Sequence, residues 1–372
     1  MKSVVILSCF YEPYISGAER FVKEVTERLI SNYRFIIITS RIKIQNPKLE
    51  IRNINGYEYL IKRIGFGFKF DKWLYSILAP IYALFYKPQI VHAVMESYAG
   101  IALLLYCYIA KLFGLKSKTI LTLQSGDLDE KVIQGRIPTW LWRKIHTMPD
   151  YITAISSYLK NRAIKLGVAE NKISIIPNGV DLQLVESYKL KVVSRVPHRI
   201  VCVARLSSEK GLEYLLDALP LIKREFSDAH LVLVGGGILE NNLKSQAKQL
   251  GILDSVFFLG AQPHEKAIEE MRQAEVFVCP SLAEGLGIVF IEAQALGVPV
   301  IGTNVGGIPD VIRDGETGLL VPPRDSRAIA DAVIKVFRDK NLAQKITEEA
   351  KKRIGRFSWD MIARQVAEIY AL

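Results

Sequence analysis

The chain has 372 residues, of which half are apolar and 23% charged, and its formal net charge is +11. This length predicts two domains, and the apolar content is sufficient for a large core. The four cysteines occur singly in apolar runs, which excludes a disulfide framework or a cysteine zinc site and indicates buried, reduced thiols in a cytoplasmic protein.

The positive charge is concentrated in the first half of the chain. Residues 1–190 contain 26 Lys and Arg against 15 Asp and Glu, whereas residues 191–372 contain 23 of each. This asymmetry indicates an anionic partner for the first half. Because no helix-turn-helix, zinc-finger or aromatic RNA-binding pattern is present, an anionic membrane surface or a phosphorylated acceptor is a better candidate than nucleic acid.

The sequence contains no convincing membrane-spanning segment. Residues 1–10 resemble a short signal h-region, but a first buried strand explains their apolar character better. The longest apolar stretches, 73–86 and 99–110, are shorter than the roughly 20 residues that a membrane helix needs. A soluble or peripheral protein is therefore expected.

Short apolar runs typical of buried parallel strands alternate with amphipathic helical patterns along the chain. The first series of predicted strands is 4–8, 35–39, 90–93, 119–123, 151–154 and 173–176, with helices at 18–29 and 157–166 among the intervening segments. The second series of predicted strands is 199–203, 230–234, 256–259, 276–278, 298–302 and 318–321. No short internal repeat is visible.

This double alternation predicts an α/β protein with two doubly wound, Rossmann-like domains that face each other across a cleft. The expected domains are 1–187 and 199–352, joined by a polar linker at 188–198, with a C-terminal helix at 353–372 that returns to the N-terminal domain. Ligands of such sheets bind beyond the carboxyl ends of the strands, so the cleft is the expected site.

Two carboxylates eight positions apart, Glu284 and Glu292, form the most informative motif of the chain. Between them, Gly285 and Gly287 keep a turn free of bulk before a predicted helix that begins near Ile288. The start of such a helix favours a phosphate, and the two carboxylates could each bind a sugar diol on either side of a diphosphate. The alternative is a surface helix with ordinary glutamates.

Two cations follow the first strand of the second half, Arg205 and Lys210, and both could neutralise a diphosphate. The alternative is a pair of solvated surface cations. Three glycines, 235–237, end the next strand and permit close backbone approach by a ligand, although a plain turn is the alternative. They do not fit the dinucleotide-binding GxGxxG pattern.

Together, these motifs resemble glycosyltransferase family 4. The resemblance is carried by Arg205…Lys210-Gly211, Val234-Gly-Gly-Gly237, Pro280-Ser-Leu-Ala-Glu284…Glu292, Gly297-Val-Pro-Val300 and Gly306-Gly-Ile-Pro-Asp310…Gly315-Glu-Thr-Gly318, and more loosely by Tyr11–Glu19 and Ile176-Pro-Asn-Gly-Val-Asp181. It implies the GT-B fold and a retaining enzyme that transfers a hexose-type sugar from a UDP- or GDP-linked donor to a hydroxyl acceptor, in glycolipid or polysaccharide assembly.

The resemblance also implies roles for individual residues. Glu284 would bind hydroxyls of the donor sugar and Glu292 those of the ribose, while Arg205 and Lys210 would neutralise the diphosphate. The remaining donor-binding positions are Gly17, Gly235, Gly236, Ala261, Gly285, Gly287 and Ile288. No metal or other cofactor is expected beside the nucleotide sugar.

The first half departs from the family pattern at the acceptor side. Many members have a His after the fourth strand, but this chain has Gln124, followed by Asp127. Gln cannot act as a general base near neutral pH, so positioning is its expected role. The base is then Asp127, a donor phosphate oxygen, or no protein group at all. Smaller departures are Ala18 in the first half and Ala204 and Asp310 in the second, where the family usually has Gly, Gly and Glu.

Two further observations leave alternatives open. Asp127-Leu-Asp129 matches the metal-binding D-x-D pattern of the other large glycosyltransferase fold, although a three-residue pattern is common by chance. His92 follows a strand and is expected to face the cleft, where a catalytic role competes with that of a hydrogen-bonded structural histidine.

The acceptor is expected to be a sugar or lipid-linked hydroxyl. Residues 66–73 and 140–144 mix aromatic and basic side chains, which suits a lipid interface as well as ordinary packed helices. We expect a cytoplasmic protein that is also a candidate for peripheral association with the cytoplasmic face of the membrane. The alternatives to transfer are a nucleotide-sugar epimerase or phosphorylase of the GT-B group, or a catalytically idle nucleotide-sugar-binding subunit.

Overall fold

The computed structural model describes residues 1–13, 16–41, 47–68, 70–126, 137–182, 185 and 195–372. The chain divides into two compact units. Unit 1 comprises Met1–Gly179 and Trp359–Leu372, and unit 2 comprises Val180–Ser358. Residues 188–194 of the expected linker lie outside the described residues.

Unit 1 is built on an eight-stranded sheet with the strand order β3-β4-β2-β1-β5-β6-β7-β8. Its strands are β1 (Lys2–Leu7), β2 (Tyr33–Ser40), β3 (Leu49–Ile54), β4 (Tyr57–Ile64), β5 (Ile90–Val94), β6 (Lys118–Leu123), β7 (Tyr151–Ala154) and β8 (Ile173–Ile175). Neighbouring strands are parallel except β3 and β4, which pair antiparallel at one edge. The central strands are buried on both faces, as continuous apolar runs require.

The described helices of unit 1 cover this sheet. They are α1 (Gly17–Leu29), α2 (Asp71–Phe85), α3 (Tyr98–Leu112), α4 (Thr139–Thr147), α5 (Ser157–Lys165) and α13 (Trp359–Ala371). The last of these, α13, lies at the C-terminus of the chain and packs on α1. Its Trp359, Ile362 and Tyr370 are buried in the same apolar cluster as Phe21 of α1, so the C-terminal helix completes the core of unit 1.

Unit 2 is built on a six-stranded parallel sheet with the strand order β11-β10-β9-β12-β13-β14. Its strands are β9 (Arg199–Val203), β10 (His230–Val234), β11 (Val256–Phe258), β12 (Val276–Cys279), β13 (Val300–Thr303) and β14 (Leu319–Val321). Its helices are α6 (Leu212–Glu225), α7 (Glu240–Gln249), α8 (His264–Arg272), α9 (Ile288–Ala295), α10 (Ile308–Val311), α11 (Ser326–Arg338) and α12 (Lys340–Arg353).

The predicted α/β fold with two parallel, Rossmann-like sheets is confirmed. The sequence interpretation missed β3 and β4. Half-buried positions alternate with exposed ones along β3, because it forms the sheet edge and pairs with only one neighbour. Such a strand lacks the continuous apolar run by which the buried parallel strands were identified.

Candidate functional site

The loops at the carboxyl end of the unit 2 sheet are joined by backbone hydrogen bonds. The Gly235 N–H donates to the Gly260 carbonyl at 2.8 Å, and the Leu282 N–H donates to the Glu209 carbonyl at 2.8 Å. The Gly307 N–H, from the loop after β13, donates to the Glu284 carbonyl at 3.1 Å. Because the Leu206 N–H also donates to the Gly236 carbonyl at 3.0 Å, the loops after five neighbouring strands are held together as one framework, which positions the side chains they carry.

Lys210 and Glu284 form an ion pair within this framework. Lys210 ends a 3₁₀ turn after β9, and its Nζ lies 2.7 Å from Oε2 of Glu284 in the loop after β12. The two side chains are only 15% and 18% exposed. Burial disfavours the charged ammonium, but the Glu284 carboxylate outweighs burial and raises the pKa of Lys210 above its usual value. Lys210 is thus a fixed, fully charged cation.

Glycine is required where the loops cross beside this pair. Gly306 has φ of +54°, and a Cβ there would lie 2.0 Å from the Glu284 carbonyl oxygen. Gly211 has φ of +60°, and a Cβ there would lie 2.4 Å from the Pro280 carbonyl oxygen. A side chain at either position would push the Lys210 and Glu284 loops apart.

Helix α9 begins directly beside Glu284. Its N-cap residue is Gly287, whose Cα lies close enough that a Cβ added there would be 3.6 Å from Cγ of Glu284. The Gly285 N–H donates to Oε1 of Glu284 at 3.1 Å, and Ile288 is the first helical residue. The first N–H groups of a helix have no partner within it, so this end of α9 can accept an anion next to Lys210.

Arg205 is placed differently from Lys210. Its side chain is 76% exposed and forms an ion pair with Glu209 at 3.0 Å. It therefore lies at the rim of the framework as a solvated cation, and reaching a diphosphate would require it to leave Glu209.

The chain itself occupies part of the space beside the glycines after β10, which the sequence interpretation left for a ligand. A Cβ on Gly235 would lie 1.8 Å from the Ala204 carbonyl oxygen, so the space beside it is taken by the loop after β9. A Cβ on Gly236 would meet only Ala261, at 3.6 Å. Close approach of a ligand is therefore compatible with Gly236 and the exposed Ala261, but not with the side of Gly235 that faces Ala204.

Glu292 lies one turn into α9 and pairs with a histidine that the sequence interpretation did not select. Glu292 is 7% exposed, and its Oε1 lies 2.7 Å from Nε2 of His264. His264 is the first residue of α8, in the segment that follows β11 at the carboxyl end of the sheet. The only sequence signal for His264 was its position directly after Pro263, at the start of a helix that follows a strand.

In unit 1, Gln124 follows β6 and pairs with Asn178 through both amide groups. Nε2 of Gln124 donates to Oδ1 of Asn178 at 3.1 Å, and Nδ2 of Asn178 donates to Oε1 of Gln124 at 2.8 Å. Asn178 belongs to the 176–181 segment that supports the family resemblance. The pair fixes the orientation of both amides, which suits positioning of a hydroxyl and not proton transfer.

A buried ion pair holds the backbone of this loop. Glu96 is fully buried and pairs with Arg162 of α5. Its Oε2 accepts from the backbone N–H groups of Gln124 at 3.1 Å and Ser125 at 3.3 Å, and Arg162 donates to the Ser125 carbonyl at 2.7 Å. Sequence reasoning missed both residues because a single Glu and a single Arg far apart in the chain carry no local pattern.

Other predicted positions of unit 1 are only partly described. Gly17 is the first residue of α1, and the Ser16 N–H before it donates to the Glu19 carboxylate at 2.8 Å. Residues 14 and 15 of the same loop lie outside the described residues, as do Asp127 and Asp129. Among the residues that the structure describes, no group of three or more His, Cys, Asp or Glu side chains could hold a metal ion.

The expectation that His92 faces an open site is wrong. His92 is 1% exposed, with Nδ1 2.7 Å from the Tyr370 hydroxyl and Nε2 2.6 Å from the Thr122 hydroxyl. Burial lowers its pKa to about 3, so it is neutral near pH 7. Of the two alternatives, the structural histidine is therefore the correct one.

Two family models together match nearly all of the chain. The model for glycosyl transferases group 1 matches residues 193–353, and the model for glycosyltransferase family 4 matches residues 15–184. The first covers the Lys210–Glu284 framework and the second the Gln124–Asn178 pair.

Curated relatives include two enzymes of glycoside synthesis. A GDP-mannose-dependent alpha-(1-6)-phosphatidylinositol monomannoside mannosyltransferase of Mycobacterium tuberculosis is 33% identical over 241 residues, which is 61% of this chain and 63% of that protein. The N-acetyl-alpha-D-glucosaminyl L-malate synthase of Bacillus anthracis is 30% identical over 276 residues, which is 71% of this chain and 70% of that protein. The chain thus spans less than two thirds of the length of the first relative.

Solved structures show the same fold over the whole chain. Sucrose-phosphate synthase from Thermosynechococcus elongatus superposes with a TM-score of 0.81 at 21% identity, covering 100% of this chain and 98% of that one. The Anabaena protein HepE, in complex with UDP and glucose, superposes with a TM-score of 0.76 at 19% identity, covering 100% of both chains. With both halves matched by the family models and a relative covered over 70% of its length, this chain belongs to glycosyltransferase family 4 and has the GT-B class of fold.

Proposed function

We propose that this chain is a retaining glycosyltransferase that moves a hexose-type sugar from a nucleotide-diphosphate donor to a hydroxyl acceptor. The observation that carries the proposal is the Lys210–Glu284 pair beside the start of α9. A cation, a helix N-terminus and a carboxylate in one place match the three parts of a donor, which are its diphosphate, its leaving oxygen and its sugar hydroxyls.

In this proposal Glu284 and Glu292 bind the two sugars of the donor. Glu284 accepts from hydroxyls of the transferred hexose, and Glu292 accepts from the ribose hydroxyls, with Gly236 and Ala261 near the base. Gly285, Gly287 and Ile288 offer backbone N–H groups to the diphosphate, and Gly17 is a further proposed donor-binding position. The support is the placement of these unit 2 residues in loops that neighbour one another at one end of the sheet.

The chemical step breaks the bond between the anomeric carbon and the diphosphate oxygen and forms a bond from that carbon to the acceptor oxygen. Negative charge grows on the diphosphate as its bond breaks, and Lys210 and the start of α9 stabilise that charge in place. Attack on the face that the diphosphate leaves retains the configuration. The acceptor proton passes to a phosphate oxygen of the leaving group, since Gln124 has no basic atom for it, or to Asp127.

The donor is proposed to be UDP- or GDP-linked and no metal is proposed to take part. One relative is named for GDP-mannose, and a structure of the same fold contains UDP. A thermal-shift panel of UDP-, GDP- and ADP-sugars tests this, because a ligand that binds only the native state raises the unfolding temperature. If no nucleotide sugar raises the unfolding temperature at concentrations well above the usual dissociation constants of such donors, the proposal is contradicted.

A lipid-linked acceptor and peripheral association with the cytoplasmic face of a membrane complete the proposal. The named substrate of the mannosyltransferase relative is a phosphatidylinositol mannoside, and the excess positive charge of this chain lies in residues 1–190. No helix among the described residues has the length and apolar content needed to cross a bilayer.

Incubations with and without an acceptor distinguish transfer from epimerisation and from an idle binding subunit. Incubation with donor alone leaves a transferase with only slow hydrolysis, whereas an epimerase converts the donor without an acceptor. An idle binding subunit would bind donor and convert nothing with any lipid or sugar acceptor.

A further inference from the structure

The outer face of helix α2 exposes a continuous apolar stripe. Trp73, Ile77, Ile81 and Phe85 are spaced four residues apart, and their exposed fractions are 60%, 57%, 41% and 76%. Side chains four apart lie on one face of a helix, so the stripe runs its whole length. A contiguous exposed apolar surface of this kind marks an interaction site, whereas single exposed apolar residues are ordinary.

Helix α3 extends the stripe at its far end. Leu112 and Phe113, at the end of α3, are 80% and 69% exposed. The segments that follow the two helices contact each other, since the Lys118 N–H donates to the Gln89 carbonyl at 2.9 Å. The ends of α2 and α3 therefore form one surface, called here the α2–α3 face.

The segment that carries this face is rich in lysine. Residues 72–118 contain five lysines, no arginine and a single acidic residue, Glu96, which is fully buried in its pair with Arg162. Lys87, Lys111 and Lys116 are exposed beside the apolar ends of α2 and α3. An apolar strip bordered by lysines, on a segment without exposed acids, is complementary to an anionic bilayer surface, where aliphatic side chains enter the interface and lysines contact headgroups.

We propose that the α2–α3 face is the surface on which this protein docks to a membrane rich in anionic lipid. The inference deepens the proposed function, since a lipid-linked acceptor would be met at that membrane. The aromatic and aliphatic side chains of α2 lie in the headgroup region, and Lys87, Lys111 and Lys116 contact lipid phosphates. The ion pairs and loops of unit 2 have no part in docking.

Vesicle co-sedimentation of the full chain tests the proposal. The wild-type chain is expected to sediment with phosphatidylcholine vesicles that contain phosphatidylglycerol, to remain in solution with phosphatidylcholine alone, and to be released by high salt. No sedimentation with the anionic vesicles at low salt would overturn it.

Matched variants locate the surface. Ile77→Ser with Ile81→Ser is expected to lower the vesicle partition coefficient by roughly tenfold or more, while Ile238→Ser, which alters a 90% exposed isoleucine of unit 2, leaves it unchanged. The double variant Lys111→Glu with Lys116→Glu is expected to lower the vesicle partition coefficient as strongly, while Lys248→Glu on α7 is expected to leave it unchanged. An equal loss of vesicle binding in a control variant would overturn the assignment of docking to the α2–α3 face.

Two further measurements separate the remaining outcomes. If the chain forms a dimer in solution that Ile77→Ser with Ile81→Ser abolishes, the face is a contact between copies and the membrane proposal is wrong. Donor thermal shift and transfer to a water-soluble acceptor are expected to be unchanged in all these variants. Loss of docking with transfer retained supports the inference, whereas docking without any transfer rejects the proposed function alone.

Discussion

Removing the Lys210 ammonium is expected to damage both catalysis and stability, by amounts that the geometry bounds. At 2.7 Å, a pair of unit charges attracts by about 6 kcal/mol if the effective dielectric constant is about 20. Desolvation of the two charges offsets most of this attraction, and the residual exposure of both side chains weakens it further. We therefore expect Lys210→Ala to lower the free energy of unfolding by about 1–3 kcal/mol.

The catalytic effect of Lys210→Ala is expected to be larger. Loss of one preorganised group that stabilises charge in a transition state lowers kcat by about 10²–10³. Here the substitution also leaves the Glu284 carboxylate without its cation beside the leaving diphosphate, so the loss should lie at the upper end of that range. Steady-state kinetics with the donor that the thermal-shift panel selects would measure it.

A double-mutant cycle with Glu284→Ala isolates the pair. In Lys210→Ala the carboxylate remains without its cation, so adding Glu284→Ala should recover part of the lost stability. Arg205→Ala is the matched control, since its 76% exposed ion pair with Glu209 should contribute no more than about 1 kcal/mol. Additive stability effects at 210 and 284 would refute the energetic coupling of the pair, and unchanged kcat/KM in Lys210→Ala would refute the assignment of Lys210 to the diphosphate.

Three further predictions concern His264, His92 and metal dependence. His264→Ala removes the partner of Glu292, the proposed ribose ligand, and should raise KM for the donor several-fold with little change in kcat, while Glu292→Ala should raise KM more. Donor affinities equal to that of the wild type, measured by calorimetry, would count against both roles. Burial lowers the pKa of His92 from 6.5 to about 3, so as the pH falls the unfolded chain binds a proton before the folded one does. The free energy of unfolding should therefore decline below pH 6.5, by about 2 kcal/mol at pH 5. Urea unfolding of His92→Gln should show a shallower decline. EDTA should leave the transfer rate unchanged, and activity that disappears with EDTA and returns with Mn²⁺ would show a metal requirement.

The sequence predicted the parts of the fold in which local pattern and burial agree. The central parallel strands are apolar on both faces, and each predicted strand is found with bounds shifted by at most two residues. The edge strand β3 alternates exposed positions with partly buried ones and was missed. Its hairpin with β4 depends on pairing at the sheet edge, and the pattern typical of buried parallel strands does not report that pairing.

The candidate site was predictable to the extent that its residues share a short segment. Glu284, Gly287 and Glu292 fall within nine positions and stand at the start of one helix, as the spacing indicates. His264 and Glu96 could not be found in this way, because each acts on a partner 28 residues distant. The sequence did not indicate a second requirement for the glycines after β10, which is that the Ala204 carbonyl fills the space beside Gly235; their role in donor binding stays a prediction.

The two cations that the sequence treated as equivalent differ in how much they can contribute. Lys210 is already desolvated and held by Glu284, so its reorganisation free energy on donor binding is small. Arg205 must leave Glu209, lose water and become ordered before it can contact a phosphate, and each of these steps reduces its net effect. Charge stabilisation of the leaving diphosphate should therefore come mainly from Lys210 and the start of α9, with Arg205 contributing to the initial attraction of an anionic donor.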